Sequence, residues 1–194
     1  MEKQVLADVF DAHEAQDAIL NEEHPGFKED YLALHCLLRK YKPKSVFEIG
    51  TNMGTGTNII CNAVKDVIVE TLDLPTEKVH PSMIRDGRDY TGYNCRGVFS
   101  QVRGDSMEFN YAPHKSEAYF IDGEHDYDHP FHETKQVLAQ EPKLIVWHDT
   151  DIPEVAKAIQ DAFAETINEK KEFGNNTYDL YRITDTRITY AVRK

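Results

Sequence analysis

Apolar positions first recur with a helical period. Val5, Val9, Ala12, Ala15, Ile19 and Leu20 predict a helix over 3–22, which Pro25-Gly26 breaks. A second helix over 28–41 carries Tyr31, Leu34, Leu37 and Leu38 on one side and stops before Pro43. From residue 45 the pattern changes. Short, nearly continuous apolar runs at 45–50, 67–73, 97–102, 118–122 and 144–148 read as buried parallel strands. The segments 55–65, 128–139 and 153–168 read as helices, and 76–89 as helix and loop. Two alternating stretches, 178–183 and 187–192, flank Asp185-Thr186 and read as a closing antiparallel hairpin. Strand–helix alternation ending in a hairpin predicts a three-layer α/β sandwich. No repeat, low-complexity tract or linker interrupts the chain. One domain over 1–194 is therefore expected, with a helical cap at 1–42 and an α/β core at 43–194.

In open α/β sheets, ligands sit outside the carboxyl ends of the strands. Polar residues close the apolar runs here: Glu48-Ile49-Gly50, Asp73, Gly104-Asp105, Asp122 and His148-Asp149. The segment from Glu48 to Thr57 is the most specific. A strand ends in an acid and passes through a turn containing Gly50, Thr51, Asn52 and Gly54 into a helix. Glycines there let a ligand approach the backbone, and the helix N-terminus faces it. There is no Gly-Lys-Ser/Thr, so this is not the phosphate loop. Glu48 would sit badly beside a pyrophosphate and suits a cationic or amine-bearing ligand. Asp73 is placed to accept hydrogen bonds from ribose hydroxyls, or else caps the start of a helix. Asp105, followed by Ser106, is a candidate for the exocyclic amine of a base, with the same capping alternative.

Charge removes several function classes. The chain has 194 residues, with 22 Lys+Arg against 34 Asp+Glu and a net charge of −12. Such a surface repels phosphate backbones, so no nucleic-acid partner is expected. No apolar run is long enough to span a bilayer, and the acidic start lacks the basic n-region of a signal peptide. Cys36, Cys61 and Cys95 are far apart and odd in number, which fits unpaired thiols in a reducing, cytoplasmic setting.

The set Glu48-Ile49-Gly50…Gly54, Asp73, Gly104-Asp105-Ser106 and Asp122-Gly123-Glu124-His125 resembles class I S-adenosylmethionine-dependent methyltransferases. The resemblance runs from about residue 28 to the end. Asp122-Gly-Glu-His125-Asp-Tyr127 with Trp147-His148-Asp149-Thr150 is similar to the metal-dependent small-molecule O-methyltransferases of the macrocin/mycinamicin and cephalosporin-hydroxylase-like group. It implies a mostly parallel, seven-stranded, Rossmann-like sheet of order 3-2-1-4-5-7-6, with S-adenosylmethionine lying across the turn after strand 1. It also implies Glu48 near the cofactor's methionine end, Asp73 on the ribose and Asp105 by the adenine. It further implies a divalent metal held by Asp122 and the pair His148-Asp149, Asp122 also bordering the cofactor and taking part in catalysis, and His125 as general base toward a hydroxylated small-molecule substrate. The related macrolide enzymes carry Glu-Asp where this chain has His148-Asp149. Two carboxylates and water suit Mg²⁺, whereas an imidazole moves preference toward Mn²⁺, Fe²⁺ or Zn²⁺. Homo-oligomerisation is left open.

Other readings remain at this level. His125, His129 and His132 share a helical face and could bind metal by themselves. Pro130, however, needs a first-turn position. That puts the helix start near Asp128 and His125 in the loop before it, with His129 and His132 along the helix's polar side. Trp147 lies inside an apolar run and reads as core, whereas Tyr90, Tyr93 and Tyr127 are candidate pocket walls. Besides a transferase, the chain could be a module that binds S-adenosylmethionine or its demethylated product (SAH) without transfer. It could also be a metal-dependent hydrolase built on the Asp/His cluster, although that leaves the glycine turn and Asp73 unexplained.

Overall fold

The computed structural model describes residues 1–5, 27–171 and 178–194. Among these, ten strands and four α-helices follow in chain order. They are β1 (Glu2–Val5), α1 (Lys28–Tyr41), β2 (Ser45–Ile49), α2 (Thr55–Ala63), β3 (Ile68–Asp73), β4 (Ile84–Arg85), β5 (Arg88–Asp89), β6 (Ser100–Arg103), β7 (Ala118–Ile121), α3 (Asp128–Gln140), β8 (Leu144–Trp147), α4 (Pro153–Lys171), β9 (Tyr178–Thr184) and β10 (Thr189–Arg193). The main sheet has the order β1-β9-β10-β8-β7-β2-β3-β6. Counting from β2, this is the expected 3-2-1-4-5-7-6 arrangement with one further strand at the edge. The strands β6, β3, β2, β7 and β8 run parallel, and β10 is antiparallel to both β8 and β9.

Burial explains these elements. The residues of β7 and β8 are buried on both faces, hence their unbroken apolar runs, Ala-Tyr-Phe-Ile and Leu-Ile-Val-Trp. The helices α1 and α2 place Leu34, Leu37, Ile59 and Ile60 on one face of the sheet. The other face is covered by α3 and α4 through Val137, Leu138, Val155, Ile159 and Phe163. Trp147 is fully buried there and donates its indole N–H to Thr134 Oγ1 at 2.9 Å, so it is core as expected. Helix α1 ends at Lys42, in the left-handed region at φ 46°, and Pro43 prevents its continuation.

Two expectations change. The segment 3–22 does not begin as a helix: Glu2–Val5 pair in parallel with Tyr181–Thr184 as an eighth strand of the sheet. The helical spacing of the other apolar positions in 3–22 falls at residues 9–20, outside the described residues. The segment 76–89 forms a 3₁₀ turn at Pro81–Met83 and the small β4–β5 hairpin rather than an α-helix. Pro75 and Pro81 and the Asp86-Gly87 pair account for this, since both residues of the pair hold positive φ.

Candidate functional site

The site begins with a backbone turn. Gly50 leaves β2 at φ 92°, and its amide donates to Leu72 O. A Cβ on Gly50 would lie 2.0 Å from Asp122 O, so only glycine lets β2 and β7 converge here. Asn52 (φ 46°) and Gly54 (φ 87°) complete the turn, and Gly54 lies against the backbone of Gly92. Asp73 closes β3. Its Oδ2 accepts the Asn52 N–H and its Oδ1 the Leu74 N–H, both at 2.7 Å. The turn and the acid are thus one hydrogen-bonded unit.

A cavity of about 620 Å³ opens above the strand ends, a volume within the usual range for small-molecule sites. Gly50, Asn52, Asp73, Asp105, Ser106 and Asp122 line it, so six of the nine cofactor candidates meet on one hollow. Three do not face it. Gly54 donates its amide to Thr51 O inside the turn, and Thr51 is buried. Glu48 is fully buried and accepts from the Thr57 hydroxyl. Burial pushes its carboxyl well above the usual carboxylate range, so it sits beneath the turn as a buried acid. Asp105 Oδ1 accepts the Met107 N–H at 3.1 Å, and its Oδ2 lies 3.7 Å from Lys78 Nζ. Tyr90, Tyr93 and Tyr127 do not line the cavity, contrary to expectation. Tyr90 and Tyr93 pack on each other, and the Tyr127 hydroxyl donates to Asp161 on α4. His129 lines the cavity rather than pointing only to solvent, and its amide and ring meet Asp126.

Beside this hollow the ends of β7 and β8 bring Asp122, His148 and Asp149 together. One ligand atom from each lies within 4.8 Å of the others. His148 Nδ1 donates to Asp149 Oδ2 at 2.8 Å and lies 3.3 Å from Asp122 Oδ1. Burial works against a charge on His148, but Asp122, Asp149 and Asp30 outweigh it and hold the imidazole up to about 11. His125 Nε2 lies 2.9 Å from Asp149 Oδ2. That bond keeps its pKa above the ordinary value, with burial opposing. For Asp149, burial would raise the carboxyl, but the two imidazoles win and lower it.

Two members of this cluster were not predicted from sequence. Asp30, buried in the first turn of α1, accepts the Arg187 amide at 2.7 Å and its Nε at 2.8 Å. Arg187, in the turn between β9 and β10, also donates to Asp149 Oδ1 at 2.9 Å and lies over the Phe27 ring. Tyr31 stacks on His148 at 6.2 Å between ring centroids. Three carboxylates, two imidazoles and one guanidinium form a closed ionic network. A signal for Asp30 does exist: it lies four residues before Leu34, on the apolar stripe of its helix.

No family model and no curated protein matches the sequence. Solved structures do match. The SAH-bound O-methyltransferase from Bacillus cereus superposes with a TM-score of 0.60 at 15% identity, over 97% of this chain and 90% of that one. The SAH-bound Podospora anserina methyltransferase PaMTH1 gives 0.59 at 13% identity, over 93% and 84%. This chain carries the Rossmann-like methyltransferase fold. The MycE methyltransferase of the mycinamycin pathway, in complex with Mg and SAH, matches at 0.54 and 12% identity. That match covers 80% of this chain and 47% of MycE. In such a fold the hollow above β2, β3, β6 and β7 is the switch-point crevice where ligands sit.

Proposed function

We propose that this chain is an S-adenosylmethionine-dependent O-methyltransferase acting on a hydroxyl of a small molecule. On this reading residues 1–194 are one domain, with 1–42 covering a core at 43–194. The observation that carries it is that the Gly50 turn, Asp73 and Asp122 line one hollow, and that Asp122 also belongs to the Asp122–His148–Asp149 cluster beside it. The SAH-bound neighbours and the Mg-containing MycE complex support the class of both ligands.

The residues fit both groups. The hollow has room for a nucleoside-sized ligand, and the carboxylate of Asp73 lines it. The two carboxylates of the Asp/His/Asp set suit Mg²⁺, and its imidazole moves the set toward Mn²⁺. When bound, S-adenosylmethionine supplies an electrophilic methyl carbon, and the divalent cation lowers the pKa of a nearby hydroxyl. Asp73 accepts from the ribose hydroxyls, and the Gly50–Gly54 turn gives the ligand close access to backbone. Asp105 and Ser106 border the base. Asp122 and Asp149 would hold the cation, His148 would join them once it gives up the proton these acids keep on it, and Asp30 and Arg187 hold that cluster in place. Tyr31 covers His148 and excludes water. His125 takes the hydroxyl proton on Nε2 as the methyl transfers. With no ligand bound, Asp149 shifts that nitrogen toward its protonated form, and engaging the Asp149 charge elsewhere would shift His125 back toward the basic form.

One observation favours a second reading. The acid cluster is already neutralised by His125, His148 and Arg187, which a metal-free transferase or a cofactor-binding module would also need. Incubation with S-adenosylmethionine, a panel of hydroxylated acceptors and a panel of metals, read by mass spectrometry, tests both. Methylated product that disappears on chelation is expected. Transfer that survives chelation supports the metal-free form. Failure of calorimetry to detect any binding of S-adenosylmethionine or SAH overturns the proposal.

A further inference from the structure

Glu133 lies in the first half of α3 and lines the hollow, yet it is only 1% exposed. Among the described residues, neither carboxyl oxygen finds a well-formed hydrogen bond, although the Ser106 side chain lies alongside. A Cβ on Gly123 would come within 3.1 Å of Oε1, so the turn after β7 closes in on that oxygen. Buried polar side chains are nearly always paired. One left open toward a cavity is a group waiting for a ligand atom. The neighbouring acids Asp73 and Asp105 already accept backbone amides, whereas Glu133 accepts none among the described residues. Asp105 takes the Met107 amide and faces Lys78, and Asp73 takes two amides. Burial pushes Glu133 up to about 7, so near neutrality it offers both a donor O–H and an acceptor oxygen.

This inference rests on the reading of the hollow as a nucleoside site. If the ribose lies on Asp73 and the reactive end faces Asp122, the base extends toward Ser106, where Glu133 sits. Adenine presents an N–H donor and a ring-nitrogen acceptor side by side. We propose that Glu133 reads this edge: one oxygen accepts the exocyclic N–H, and the protonated oxygen donates to the adjacent ring nitrogen. Glu133 is thereby the residue that makes the site select an aminopurine.

The test is calorimetric titration of the full chain with SAH and with its analogue lacking the 6-amino group. The wild type should bind SAH at least ten-fold tighter than the analogue, because a site built to bond an N–H rejects a ligand without it. Glu133→Gln should keep that preference, since a carboxamide offers the same donor–acceptor pair to adenine. Glu133→Leu should bind SAH at least ten-fold more weakly and no longer distinguish the two ligands. A wild type that binds both equally overturns the inference, even if Glu133→Leu fails to fold. A leucine variant that keeps the preference does the same. In either case the nucleoside reading stands, because SAH has bound. A wild type that binds neither ligand overturns both.

Discussion

Gly50→Ala isolates the contact on which the site's geometry depends. The new Cβ would meet Asp122 O at 2.0 Å and Asp122 C at 2.6 Å, far inside the 3.4 Å of ordinary contact. Both opposing atoms are backbone, so no side chain can swing away. Two costs add. An L-residue held at φ 92° loses about 1–2 kcal/mol. Forcing two adjacent strand ends apart costs about 1–3 kcal/mol more. In a domain of this size each kcal/mol lowers the melting temperature by about 2–4 °C, so a fall of about 4–20 °C is expected. Gly87 supplies the control, because it has φ 70° and nothing within 4 Å of its added Cβ. Gly87→Ala should show the conformational cost alone, about 2–8 °C. Scanning calorimetry of the two variants side by side decides. If Gly50→Ala melts no lower than Gly87→Ala, the close approach of β2 and β7 is not what makes glycine necessary. Binding of SAH should weaken in Gly50→Ala and not in Gly87→Ala, because only the first moves Asp122.

Further outcomes follow from the same geometry. Asp73→Ala should weaken SAH binding by about 1–3 kcal/mol in calorimetry, and unchanged affinity would remove Asp73 from the site. His125→Ala should lower kcat by about 10²–10⁴-fold with cofactor affinity nearly intact, whereas His132→Ala should be mild; equal effects would sink the assignment. Asp122→Ala and Asp149→Ala should each abolish Mn²⁺ binding followed by paramagnetic resonance, and retained binding would put the metal elsewhere. Glu133 gives a pH signature. Its folded-state pKa, about 7, lies above the ordinary 4.5, so its contribution is full below about pH 4.5 and is lost as pH rises through 7. The melting temperature of Glu133→Gln should therefore gain on the wild type across that window. The full difference is on the order of 3 kcal/mol, and a gap that does not vary with pH would refute it.

The readable parts of this molecule are those whose burial is decided locally. The runs of β2, β7 and β8 are apolar because both faces are covered, and each ends abruptly at Gly50, Asp122 or His148. The first strand was misread for the opposite reason. Glu2-Lys3-Gln4-Val5 carries no strand pattern, and its conformation comes from pairing with the edge of β9 about 180 residues away. Asp30, Glu133 and Arg187 were missed because each looks like ordinary surface polarity in its own segment. Asp30 and Glu133 nevertheless sit four residues before Leu34 and Val137, on the stripes their helices bury. A carboxyl at such a position is a signal that periodicity alone does not weigh. Arg187 had no such marker, since only the hairpin's docking brings it to Asp149.

The Arg187 bridge bears on how the protein is made. A single domain folds as a unit, so the last strands to leave the ribosome decide when this site can close. The Gly50 turn and Asp73 are complete in sequence once β2, α2 and β3 are out. The ionic cluster is not, because Asp30 and Asp149 stay unbridged until the β9–β10 turn arrives. The strand β10 lies between β8 and β9, and β9 in turn carries β1. The two halves of the site thus draw on different stretches of the chain. A chain cut after Thr184 would lose both the arginine that ties the acids together and β10, the strand that joins β9 to β8.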